Sequence, residues 1–141
     1  MIQRKQSVYL LLGALAVAAV FLFDGVFETE AAQTLGWYAP ALLVIGIVTA
    51  LAAIVAIFLY GDRNRQKRVV VGIQYCTLLF MLVLYGGLVL AGAAQSLNQG
   101  ALDTVTIIGL ALPILAYVLF YLARRGIQAD IELVRSMDRL R

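Results

Sequence analysis

Gly61-Asp62-Arg63-Asn64-Arg65-Gln66-Lys67-Arg68 stands between two long apolar runs, at about 39–60 and 69–94. Each run is long enough, as a helix rising ~1.5 Å per residue, to cross a hydrocarbon layer of ~30 Å. Gly61-Asp62 stops the first helix, and an eight-residue loop makes the two helices antiparallel neighbours. Four of those eight residues are Lys or Arg. Short loops rich in these cations resist translocation and stay in the cytoplasm.

The same asymmetry extends outward. Two further apolar runs, about 8–23 and 104–123, complete four spans. Arg4 and Lys5 precede the first, and Arg124, Arg125, Arg135, Arg139 and Arg141 follow the last. All eleven basic residues therefore fall on one side, against Asp62, Asp130, Glu132 and Asp138, for a net charge of +7. The opposite side carries Asp24, Glu28, Glu30 and Asp103 and no cation, for a net of −4. A bacterial inner-membrane protein with both termini cytoplasmic is expected. The first run is the shortest: sixteen residues cover only ~24 Å, so Ser7 or the Phe27 region must help it across. Its basic flank resembles that of a signal peptide, but the chain continues Asp-Gly-Val-Phe-Glu-Thr-Glu with no small-residue cleavage site, which predicts a retained helix.

Composition agrees. The chain has 141 residues, 63% hydrophobic and 13% charged, with a mean hydropathy of +0.94. That leaves too little polar surface for a soluble globule. The expected fold is all-α: a four-helix transmembrane domain over 1–123 and a cytoplasmic amphipathic tail over 124–141. The cations flank apolar spans, so anionic lipid head groups, not nucleic acid, are their expected partners. Cys76 is the only cysteine, which excludes a disulfide framework.

Helices in lipid gain little from the hydrophobic effect between themselves, so small residues that permit close approach mark the packing faces. Gly46, Ala50 and Ala53 share one face of the second span, Gly87 and Ala91 step along the third, and Ala14 and Ala18 along the first. Most are expected to pack within the bundle, although spacing alone fits a second polypeptide equally. Pro113, in the middle of the fourth span, removes a backbone N–H and predicts a kink. Thr49 is expected to bond the Ile45 carbonyl, and Gln74 to bond a neighbouring helix. Trp37 and Tyr38 on one side, and Tyr9, Tyr60 and Tyr121 on the other, lie where aromatic rings settle at the head groups.

No Asp, Glu, Lys or Arg interrupts a span core, and the chain has no histidine. Internal carboxylates that mark ion transport are missing, as are the usual haem axial ligand, the commonest zinc ligand and the usual general base. No phosphate-binding glycine motif occurs. The expectation is a protein that is not an enzyme and holds no cofactor or metal of its own.

In the tail, Ile127, Ile131, Val134, Met137 and Leu140 recur at helical spacing and form one apolar stripe. Glu132 with Arg135, and Asp138 with Arg141, stand at pairing distance. So short a helix is marginal in water, and its stripe needs a covering surface, either the membrane interface or a protein partner.

Met1-Ile2-Gln3-Arg4, Gln6, Tyr9-Leu10-Leu11-Leu12, Asp130 and Leu133-Val134-Arg135-Ser136-Met137-Asp138-Arg139-Leu140-Arg141 resemble a Bacteroidota family of small four-helix membrane proteins, domain of unknown function 4293. The resemblance implies four spans and cytoplasmic ends, and brings no activity. Gly126 departs from the family's alanine, which weakens a continuous helix from the fourth span into the tail. The expected role is a non-catalytic accessory subunit packed beside larger membrane-protein subunits, with a respiratory electron-transfer assembly as one host. The alternative is a free-standing carrier or sensor for a neutral lipophilic ligand such as a lipid or quinone, with Tyr75, Tyr85 and Tyr117 as candidate lining.

Overall fold

A computed structural model describes residues 2–23, 33–90 and 104–138. These form four long helices and, among the described residues, no strand. Helix α1 is Ile2–Val20, α2 Tyr38–Phe58, α3 Arg63–Leu90 and α4 Thr104–Asp138. Stretches of α2, α3 and α4 are long and apolar enough to cross a membrane; the apolar part of α1, Lys5–Val20, is shorter. The outer faces carry Leu43, Val44, Leu51, Leu79, Leu82, Ile108 and Leu115 in the open. So much exposed aliphatic surface suits acyl chains, not water.

Each helix packs on its chain neighbours, and α4 closes the ring on α1. The pairings are antiparallel. Tyr38 at the start of α2 meets Leu84 near the end of α3, and Gln6 at the start of α1 meets Asp130 near the end of α4. The core has two layers. One, at the end where the described basic residues of α3 and α4 gather, joins Leu10, Val17, Ala53, Ile73, Phe120 and Ile127. The other joins Val20, Tyr38, Leu42, Phe80, Leu84 and Leu88, and Leu112 packs against both.

Three expectations are corrected. The basic octet is not a loop: a 3-10 turn, Leu59–Gly61, follows α2, Asp62 alone separates it from α3, and helix resumes at Arg63. Asp62 Oδ1 accepts the Arg65 backbone N–H at 3.1 Å, an N-cap bond, and its other oxygen pairs with Arg65 at 3.0 Å. Gln66 reaches back to the Ala56 carbonyl at 3.0 Å, satisfying an acceptor that the end of α2 leaves free. Tyr38 is no head-group anchor: it is fully buried, and its hydroxyl donates to the Leu84 carbonyl at 3.2 Å. Trp37 does remain exposed. Finally, α4 runs unbroken through Gly126, where the departure from alanine weakened the expectation of a continuous helix, and it includes Pro113 within its length. Membrane helices tolerate an internal proline. Gly126 serves packing instead, since a Cβ there would come within 3.0 Å of Gln6.

The small residues also act differently from a backbone-to-backbone seam. Gly13 lies under the Phe120 ring, Gly46 under Phe21 and Gly87 under Tyr38, each too close for a Cβ. The missing side chains are seats for aromatic rings of neighbouring helices. Phe21 also meets Phe80 edge to face, with centroids 6.1 Å apart. Ala53 is buried, Ala50 half-buried and Ala14 buried, while Ala18 is exposed. Ala91 lies outside the described residues.

Candidate anion-binding groove

The polar features gather at the basic end of the bundle. Gln6 Nε2 donates to Asp130 Oδ2 at 2.8 Å, and both residues are buried. These two belong to the terminal motifs read in the sequence, and folding unites them across 124 positions. Six residues earlier on α4, Arg124 Nη1 donates to Gln74 Oε1 at 3.1 Å, the interhelical bond expected of that glutamine. Thr49 and Thr77 bond the Ile45 and Ile73 carbonyls of their own helices at 2.7 and 2.8 Å.

Beside this layer α3 and the far half of α4 enclose a groove with two adjoining cavities. The larger, about 480 Å³, is lined by Asn64, Lys67, Arg68, Val71 and Arg135. The smaller, about 260 Å³, is lined by Lys67, Tyr121, Arg124, Arg125 and Gln128. Lys67 is common to both, so five cations and no carboxylate line the pair among the described residues. The pairing expected between Glu132 and Arg135 is replaced. Glu132 accepts from Gln128 Nε2 at 2.6 Å, and Asp62–Arg65 is the only ion pair among the described residues. The Gln128 side-chain oxygen Oε1 is buried without a partner, and Gln128 lines the smaller cavity. Such an arrangement attracts anions through unneutralised charge and through guanidinium forks matched to phosphate oxygens.

Sequence reading assigned these cations to topology and missed the groove. The available signal was that cations of one sign sit on two antiparallel segments whose polar ends must face each other.

The tail stripe divides. Ile127 and Ile131 are buried in the core layer with Leu10 and Phe120. Val134 and Met137 are exposed, as is Leu133, and Leu140 lies outside the described residues. Pro113 is buried. The candidate tyrosines are dispersed in role: Tyr75 is exposed, and the Tyr85 hydroxyl donates to the Leu110 carbonyl at 2.5 Å. Among the described residues no three His, Cys, Asp or Glu side chains are grouped to hold a metal ion.

A chain whose described residues are helical, with three long apolar helices and a basic pole, is by class a membrane protein. It belongs to the family described as Domain of unknown function (DUF4293), whose profile matches residues 2–140. No curated protein matches it, and no solved structure does.

Proposed function

We propose that this protein is a non-catalytic accessory subunit of a larger inner-membrane complex, crossing the bilayer four times with both chain ends in the cytoplasm. The fourth crossing is supported by the depth that α1 reaches. Val20, Phe21 and Phe23 pack with Tyr38 and Leu42 at the pole opposite Gln6, so α1 and its following turn traverse the same layers as α2. The orientation follows from the basic pole, since cytoplasmic segments carry the excess of Lys and Arg.

One observation carries the subunit reading: the last turns of α4 keep apolar side chains exposed beyond the arginines. Leu133, Val134 and Met137 are 56%, 41% and 60% exposed on a helix whose buried face is already occupied by α1. In the proposed topology Arg124 and Arg125 stand at the head-group level, and a protein surface beyond them is the occupant we assign to this exposed face. Each buried aliphatic side chain contributes roughly 1.5–3 kcal/mol, so three of them set occupancy by at least about a hundredfold.

The test is purification of the tagged chain in mild detergent. Stoichiometric larger partners should accompany the wild type, and Leu133→Ser/Val134→Ser/Met137→Ser should lose them while its abundance in membranes is unchanged. A wild-type chain that purifies alone refutes the subunit reading. Retention of partners by the triple variant refutes the tail as the docking element.

A further inference from the structure

We propose that the groove between α3 and α4 binds a lipid whose head group carries two phosphates. The proposal rests on the basic pole lying at the head-group level, and goes beyond it in assigning a specific site. Cations scattered over a membrane-facing pole attract any anionic lipid about equally. Here they are concentrated instead, with Lys67 and Arg68 on α3 opposite Arg124, Arg125 and Arg135 on α4.

The two cavities match paired anions. Arg68 and Arg135 serve the larger, Arg124 and Arg125 the smaller, and Lys67 stands between them. A single phosphodiester neutralises the cations of one cavity and leaves the other's charges facing one another. Two linked phosphates neutralise both, with Lys67 shared. The Gln74 amide holds Arg124 in place, so part of the site is ordered before a ligand arrives.

A lipid, not a soluble diphosphate, is favoured by the walls. Tyr121 and Val71 line the cavities, and Leu122, Val118 and Leu115 continue along α4 as exposed apolar surface on which acyl chains can lie. Basic pockets between membrane helices on the cytoplasmic side are suited to such head groups.

The experiment is native mass spectrometry of the full-length chain in detergent, titrated with cardiolipin, phosphatidylglycerol or inorganic pyrophosphate. Cardiolipin should be retained about tenfold better than phosphatidylglycerol at equal phosphate. Each cation near the surface contributes about fivefold, so Lys67→Gln/Arg125→Gln should weaken cardiolipin about 25-fold. Arg63→Gln, outside the groove lining, should change it less than about twofold, and Lys67→Arg/Arg125→Lys should retain binding. The helical circular dichroism of every variant is compared with the wild type, and the charge-preserving pair decides the matter if the neutral pair unfolds. Equal retention of the two lipids, or retention unaffected by the double neutral substitution, overturns the site. Displacement of cardiolipin by an equal concentration of pyrophosphate overturns the lipid assignment. None of these outcomes depends on whether larger subunits co-purify, so this proposal and the subunit reading fail separately.

Discussion

At the residue scale, packing is set by rings lodged over glycines. Adding a methyl at Gly87 places a Cβ inside the space that Tyr38 occupies. Gly87→Ala should therefore lower stability by about 1–3 kcal/mol, as overpacked cores do. Gly72, with nothing within 4 Å of its missing Cβ, is the internal comparison. Gly72→Ala should be neutral or stabilise by up to about 1 kcal/mol, and denaturant titration of the two variants in detergent measures the contrast. Gly46 and Gly87 were legible in the sequence as packing positions because small residues recur one turn apart. Their occupants were not, since spacing along one helix records a vacancy and not the side chain that fills it. Tyr38 was misplaced for a related reason: hydropathy puts it at a span's edge, but the carbonyl that accepts its hydroxyl belongs to Leu84, 46 residues away.

At the element scale, helix ends were harder to read than helices. Charge density suggested a loop at 61–68, yet an Asp cap and a glutamine spanning the turn make all but Asp62 helical. Asp62→Ala should fray the start of α3 at a cost of about 0.5–2 kcal/mol, visible as faster amide exchange at Asn64 and Arg65. Likewise Gly126 looked like a breaker and turned out to admit Gln6. The buried Gln6–Asp130 bond holds the extended half of α4 to α1. Asp130→Ala leaves the Gln6 amide unpaired and should cost about 1–3 kcal/mol, whereas the cost in a Gln6→Leu background should be smaller. Additive losses in that double-mutant cycle would show that the two side chains are not coupled.

At the scale of the whole molecule, four apolar runs and a one-sided distribution of cations made the helical membrane architecture legible from the order of the sequence. Orientation is tested by cysteine labelling in a Cys76→Ser background. Cysteine at Gln33 or Gln99 should react with an impermeant thiol reagent in intact spheroplasts and cysteine at Asn64 should not; the reverse pattern would invert the protein. The groove was not legible, because it exists only where the start of α3 and the far half of α4, far apart in the sequence, are laid side by side. Closure of the ring by α4 against α1 has a consequence for biogenesis. Helix α1 receives its most extensive packing surface from α4, the bundle helix synthesised furthest from it. Until Phe120, Ile127 and Asp130 have been synthesised, Gly13, Leu10 and Gln6 lack their partners. The bundle therefore matures only after α4 has been synthesised, which leaves a chain terminated before α4 with an open seam that quality-control proteases of the membrane can recognise.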